Sequence, residues 1–249
     1  MNEYSPALLI ALAMTFLVAG TVKGVTGMGL PTVAMGLLGV VMPPAAAAAL
    51  LVVPSLVTNL WQLLAGPATL RLLRRLWTMI SGIGIGTVAG SAMLASLDPQ
   101  WSSPALGIAL MLYAGFALFA PTLSVPPNVE PWLSPLIGLA TGLVTGATGV
   151  FVFPAVPYLQ ALGMERDELV QSLGLSFTAS TLALAAGLIL HGAFHVEQLG
   201  MSSLAIAPAL VGMWLGQRIK ARISPTAFRL CFLSFLLLLG LELATRPLR

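Results

Sequence analysis

Long apolar runs dominate the chain, and their lengths predict membrane helices. A helix needs about 20 apolar residues to cross the hydrocarbon core of a bilayer. Six runs have roughly that length, at 45–66, 76–97, 104–120, 168–190, 199–217 and 226–244. We therefore expect each of these runs to form one membrane helix.

Two further apolar regions, 7–41 and 132–163, are each about twice as long as one helix. Glycines interrupt each region near its middle, and a proline follows the glycines. This pattern predicts two shorter helices that meet at a break. Residues 7–22 resemble the core of a signal peptide, but no Lys or Arg precedes them. We therefore assign them to the first membrane helix.

Composition favours the same class of protein. Hydrophobic residues make up 58% of the 249 residues and charged residues only 8%, whereas soluble domains carry about 25% charged residues. A soluble core of this size cannot bury so much apolar surface, because the buried fraction rises slowly with chain length. The net charge of +3 is better explained by arginines in cytoplasmic loops than by nucleic-acid binding. We predict an all-α, multi-pass protein of the bacterial cytoplasmic (inner) membrane, with the lipid bilayer as its solvent and no nucleic-acid partner.

The two interrupted regions share a motif that predicts an internal repeat. Residues 19–29 read AGTVKGVTGMG and residues 141–151 read TGLVTGATGVF. Four identities fall in register at an offset of 122 residues: Gly20, Gly24, Thr26 and Gly27 match Gly142, Gly146, Thr148 and Gly149. A proline-rich stretch, 121–131, divides the chain near its midpoint. We predict a first repeat at 1–121, a linker at 122–131 and a second repeat at 132–249, within one membrane domain.

Loop charges predict that the repeats are inverted. Arg71, Arg74 and Arg75 form a basic loop, whereas its counterpart near 191–198 has no Lys or Arg. One helix later the reverse holds, because the loop at Asp98 lacks the basic residues found at 218–222. Basic loops are cytoplasmic, so matching loops lie on opposite sides of the membrane. This requires an odd number of crossings per half. We expect about ten transmembrane or half-membrane helices in two inverted repeats of five, an arrangement typical of carriers.

The breaks are the candidate substrate site. Glycine permits a sharp turn, and the helix that follows would point free N–H groups at an anion. Lys23 lies next to the first break and is the only charged residue between Glu3 and Arg71. A charge at this depth usually has a functional role or a counter-ion. The alternatives are close helix packing for the glycines and a lysine side chain that reaches a membrane surface. The candidate residues at the breaks are Lys23, Gly24, Thr26, Gly27, Met28, Gly29, Leu30, Gly146, Thr148, Gly149 and Val150.

Polar residues of two other helices complete the candidate lining. Asn59 and Gln62 follow helical spacing with Ser55 and Thr58, and the repeat offset brings Ser176 and Ser180 to the corresponding helix. A hydrogen bond within the same helix is the alternative for any single Ser or Thr. His191 and His195 have metal-like spacing but no convincing third ligand, so we predict no metal site and no cofactor. No constellation of residues suggests an enzyme.

The motif AGxxKGxTGxG, followed by a proline and echoed as TGxxTGxTG, resembles the TauE/SafE family of sulfite exporters and 4-toluenesulfonate uptake permeases. The resemblance covers essentially the whole chain, and it departs from the family pattern at Phe151, where many relatives have another glycine. It implies a carrier for sulfite or organosulfonates. Another organic anion such as a carboxylate, a membrane scaffold and an enzyme remain as alternatives. The expected partners are a small anionic substrate, a coupling ion (H⁺ or Na⁺) and a second copy in a homodimer.

Overall fold

The computed structural model describes residues 6–119, 123–194 and 196–246, and these residues fold into helices joined by short turns. Helices precede the linker as α1 to α5 and follow it as α6 to α11. Their bounds are α1 Pro6–Thr26, α2 Leu30–Val41, α3 Pro44–Leu64, α4 Thr69–Ser96, α5 Pro99–Phe119, α6 Glu130–Thr148, α7 Ala155–Ala161, α8 Arg166–Leu190, α9 Val196–Leu204, α10 Ile206–Lys220 and α11 Pro225–Thr245.

The helix lengths confirm the predicted all-helical membrane protein. Seven helices of the described chain are long and apolar enough to cross a membrane. Only Ala205 separates α9 from α10, and the two together provide one span, Gln198–Lys220. Both interrupted regions are broken as predicted, into α1 with α2 and α6 with α7.

Four helices of the bundle begin at one end, which we call the basic end. Arg71 of α4 forms an ion pair with Glu168 at the start of α8. Arg75 of α4 contacts Glu130, the first residue of α6, with N–O distances of 2.7 and 2.8 Å. The starts of α4, α6 and α8 therefore lie together. Lys220, the last residue of α10, lines the same cavity as Arg166, the first residue of α8, so α10 ends and α11 starts at the basic end as well.

Helix α1 runs parallel to α10, and glycines allow their backbones to approach closely. Gly20 faces the backbone of Ala209, and Gly24 faces Met213 and Gly216 one turn further along both helices. Because α10 runs towards the basic end, α1 also runs towards that end. The α1–α2 break consequently lies nearer the basic end.

Helix α2 runs in the opposite direction. Gly29 at its start packs beside Phe232 of α11, and Gly36 packs beside Leu239. Helix α2 is therefore parallel to α11 and leads away from the basic end. Its 12 residues span only about 18 Å, so α2 cannot cross a bilayer alone. Helices α1 and α2 form a hairpin that returns to the side from which it entered.

A second hairpin enters from the basic end. Helix α6 runs parallel to α4, with Gly138 facing Met79 and Gly146 facing Thr87. Helix α7 then returns, because the N–H of Val125 in the linker donates to the carbonyl of Ala161 over 2.9 Å. Each half thus has a hairpin followed by three spans, and three is the odd number that the loop charges require.

The helix pairs that pack together follow a pattern that supports the predicted repeat. Helix α1 packs on α10 and α6 packs on α4, while α3 pairs with α8 and α5 pairs with α11. Exchanging the halves leaves this set unchanged, as a two-fold relation between them requires. Asn59 and Thr181, which are 122 residues apart, form a hydrogen bond with each other, as equivalent residues near a two-fold axis would. The repeat boundaries themselves stay a prediction.

Candidate functional site

The first break is a tight turn built on two left-handed glycines. Gly27 and Gly29 have φ values of 80° and 96°, a conformation that side chains with a Cβ rarely adopt. The N–H of Gly27 donates to the carbonyl of Lys23 over 2.7 Å. The hydroxyl of Thr26 accepts from the N–H of Met28 over 3.2 Å and lies 2.8 Å from the Met28 carbonyl. Thr26 therefore satisfies backbone groups that the end of α1 leaves without helical partners.

The second break repeats this turn. Gly149 has a φ of 73°, and its N–H donates to the carbonyl of Thr145 over 2.7 Å. The hydroxyl of Thr148 accepts from the N–H of Val150 over 3.2 Å. Each of these contacts lies 122 residues after its counterpart in the first break. The second break differs in length, because α7 begins only at Ala155.

Each break lies beside the other hairpin. A Cβ built on Gly149 would be 2.7 Å from the methyl carbon of Met35, a residue of α2. Thr26 and Met28 of the first break share a cavity wall with Val156 of α7. The two hairpins therefore overlap inside the bundle. The convergence of both helix N-termini on one ligand stays a prediction.

Two of the predicted site glycines occupy helix contacts instead of the breaks. Gly24 lies within α1 against the backbone of α10, and Gly146 lies within α6 against the backbone of α4. This is the close helix packing that small residues permit in membranes. Their placement favours the packing alternative for both residues.

Lys23 is the charged centre of the candidate site. The residue is only 2% exposed, and its ammonium donates to the side-chain Oδ1 of Asn59 and, over 3.2 Å, to the Thr58 hydroxyl. The Asn59 amide nitrogen donates in turn to the Thr181 hydroxyl over 3.2 Å. Lys23 therefore reaches the α3–α8 contact and does not reach a membrane surface. Sequence reasoning placed Thr58 near the lining, but it identified neither Thr58 nor Thr181 as a partner in this chain of hydrogen bonds.

No carboxylate pairs with Lys23 within residues 6–119, 123–194 and 196–246. The ion pairs found there join Arg71 to Glu168 and Arg75 to Glu130. An ammonium has three N–H donors, and the contacts of Lys23 with Thr58 and Asn59 use two of them. The centre therefore offers one charged donor to a further acceptor.

Gln62 links the first break to α8. Its amide nitrogen donates to the carbonyls of Gly27 and Val170, both over 2.8 Å. Its amide oxygen is buried and has no partner among the described residues. Gln62 thus connects the first break to α8, and its role in lining a substrate site stays a prediction.

Several buried hydroxyls have no hydrogen-bond partner in the described part of the chain. Ser55 lies on α3 one turn from Asn59, and Ser176 and Ser180 lie on α8. The spacing of Ser176 and Ser180 places them on the same stripe of α8 as Gly187, which packs against Ser91 of α4. Thr181 instead faces α3. The structure therefore sets Ser176 and Ser180 on a different side of α8 from the Asn59 contact.

Only one residue of the histidine pair noted in the sequence lies within the described ranges. His191 lies at the end of α8 and is exposed, and His195 falls outside the described residues. Within the described ranges, no group of three or more His, Cys, Asp or Glu side chains could hold a metal ion.

Comparison with known proteins gives one result. The sequence profile described as sulfite exporter TauE/SafE matches residues 12–243. This range covers the described helices apart from the first residues of α1 and the last residues of α11. No curated protein and no solved structure gave a significant match. The chain therefore belongs to the sulfite exporter TauE/SafE family and is a multi-pass membrane protein of the transporter type.

Proposed function

We propose that this protein carries a small sulfur-containing anion, sulfite or an organosulfonate, across the bacterial inner membrane by alternating access. The family supports the substrate class. The observation that carries the proposal is the buried ammonium of Lys23, which has neutral partners only.

A buried ammonium needs compensation. A lysine charge that is shielded from water is costly, because protein and lipid solvate it far less well than water does. The Thr58 hydroxyl and the Asn59 carbonyl oxygen supply dipoles, but neither neutralises the charge. An anion with several oxygens accepts the remaining N–H of Lys23 and removes the uncompensated charge. Charge-assisted hydrogen bonds of this kind are roughly twice as strong as neutral ones.

The hairpins supply the moving parts of this mechanism. Lys23 lies one turn before the first break and its two partners belong to α3. One of these partners, Asn59, donates in turn to Thr181 of α8. A change at the Gly27 turn shifts the end of α1 against α3 and α8, and it thereby exposes Lys23 to one side of the membrane. Broken helices around a central site are a recurrent way to obtain such alternation.

Replacing Lys23 with Met tests the proposal, because methionine keeps an unbranched apolar stem and removes the charge. We expect the affinity of purified protein for sulfite, measured by calorimetry, to fall at least about thirtyfold, since loss of one partner of a buried charge pair costs roughly 2–5 kcal/mol. Counterflow in proteoliposomes should fall in parallel. A carboxylate panel in the same assay tests the alternative anion class.

The matched control is Arg74→Gln. Arg74 is exposed on α4, and the replacement removes one positive charge far from the centre. It should leave affinity and counterflow unchanged. Equal affinities of wild type and the Lys23→Met protein, with both proteins folded, would exclude Lys23 from the site.

A further inference from the structure

A large cavity opens among α5, α7, α8, α10 and α11, next to the first break. Its volume is about 660 Å³, within the range of roughly 300–1,000 Å³ that small-molecule sites occupy. Arg166 at the start of α8 and Lys220 at the end of α10 line it. These positions place the cavity at the basic end, which the positive-inside rule makes cytoplasmic.

Three cations from three different helices surround the cavity. They are Arg166, Lys220 and Arg229, and no Asp or Glu is among the described residues that line it. Because Arg166 and Lys220 line the same cavity, their like charges repel each other. The guanidinium of Arg229 donates to a backbone carbonyl at the end of α5, and neither described ion pair uses any of the three cations. An anion in the cavity would relieve this repulsion.

The remaining walls are largely apolar. Phe116, Phe228, Phe232 and Leu173 contribute hydrocarbon surface, and Tyr113 adds a ring with one polar atom. An inorganic oxyanion would leave this surface unused. A ligand that combines a negative head with an apolar body matches both parts of the cavity.

A hydrogen-bonded bridge separates the cavity from the Lys23 centre. Thr26 and Val170 line the cavity, whereas Lys23 and Asn59 do not. Gln62 holds the two sides of this boundary together through the carbonyls of Gly27 and Val170. On α3, Gln62 precedes the helix end by two residues and Asn59 lies one turn deeper. The cavity and the Lys23 centre are therefore neighbours, with Gln62 between them.

We infer that the cavity is a second anion site, which takes an organic anion with an apolar body from the basic end while the Gln62 bridge is closed. The inference rests on the proposed function in one respect, because it treats this anion as the transported substrate. Binding in the cavity needs neither Lys23 nor transport.

Calorimetry on the full-length Lys23→Met protein isolates the cavity from the Lys23 centre. Benzenesulfonate and methanesulfonate are the probes, because they share a head group and differ in apolar surface. We expect benzenesulfonate to bind roughly tenfold to a hundredfold more tightly, since burial of apolar area contributes about 25 cal/mol per Å². Combined Arg166→Gln and Lys220→Gln replacements should weaken binding roughly tenfold, as partly exposed charges contribute up to about 1 kcal/mol each. The control Arg222→Gln, which alters an exposed cation outside the lining, should have no effect.

Three outcomes would overturn the inference. The first is loss of all benzenesulfonate binding in the Lys23→Met protein, which would leave a single site. The second is unchanged affinity in the Arg166 and Lys220 variant. The third is benzenesulfonate binding that occurs in nanodiscs of neutral phosphatidylcholine and disappears when the nanodiscs contain phosphatidylglycerol. An anionic lipid head group would then be the natural occupant of the cavity. Failure of the proposed function would instead appear as unchanged sulfite affinity in the Lys23→Met protein, so the two failures are distinguishable.

Discussion

Gly146→Ala separates the two explanations for the glycines of the repeated motif. Gly146 lies within α6, and a Cβ built on it would be 2.7 Å from the backbone nitrogen of Ser91 and 2.8 Å from the carbonyl carbon of Gly90. Both atoms belong to the backbone of α4, which no side-chain rotation can move aside. If Gly146 serves close packing, the substitution lowers stability. If it serves the ligand, it lowers affinity and leaves stability unchanged.

The expected loss of stability follows from the geometry. Ordinary contact with a Cβ starts at 3.4 Å, and the carbonyl oxygen of Thr87 lies nearer to the added Cβ than either of these atoms. Helices α4 and α6 must therefore separate by about 1 Å. Overpacking costs about 1–3 kcal/mol, and the higher helix propensity of alanine returns up to about 1 kcal/mol. A clash with backbone atoms belongs at the upper end of this range. We therefore expect a net loss of about 2 kcal/mol, which for a chain of this length lowers the melting temperature by about 4–8 °C.

Thermal unfolding of detergent-purified protein, followed by size-exclusion fluorescence, measures this change. Gly84→Ala is the control, because Gly84 lies on α4 and its added Cβ would meet nothing within 4 Å. We expect the control to unfold at the wild-type temperature or slightly above it. Equal melting temperatures for the Gly146 and Gly84 variants would refute the packing explanation, and a selective loss of sulfite affinity at Gly146 would restore the site explanation.

Two further predictions concern the centre and its boundary. Asn59→Asp places a carboxylate beside Lys23 and should lower sulfite affinity at least about tenfold by internal neutralisation of the charge, so unchanged affinity in calorimetry would contradict a charge-based site. Gln62→Leu removes both 2.8 Å hydrogen bonds, worth about 1 kcal/mol each. In a Cys231→Ser background, it should therefore increase the rate at which a charged thiosulfonate reagent labels a Ser55→Cys thiol by roughly thirtyfold. Equal labelling rates with and without Gln62 would show that it does not close the boundary.

Local physics explains how much of the fold could be predicted from the sequence. Apolar runs long enough to span a bilayer identify the helices, because hydrocarbon offers no hydrogen bonds to unpaired backbone groups. The paired motifs at Gly27 and Gly149 identify the breaks, because a left-handed turn requires glycine and the Thr two residues before Met28 or Val150 satisfies the exposed N–H. These signals depend on neighbours in the chain and therefore appear in the sequence.

Direction and depth could not be predicted in this way. Helix α2 turns back along α11, and nothing in residues 30–41 distinguishes a returning helix from one that continues, because the direction depends on contacts between residues more than 200 positions apart, such as Gly36 with Leu239. The sequence also did not predict that the three cations of the cavity lie together. Arg166 begins α8, Lys220 ends α10 and Arg229 lies in the second turn of α11. At such positions each is expected as an ordinary cytoplasmic residue.

The sequence by itself determined the class of protein, the positions of its helices and breaks, and Lys23 as the one deeply placed charge. Only the tertiary structure decided which groups surround that charge. Thr58 and Asn59 come from α3 and Thr181 from α8, and the absence of a nearby carboxylate in the described chain depends on the packing of all three helices. Hydrophobic burial acts on each segment independently of the others, whereas the environment of a charge depends on distances across the whole bundle.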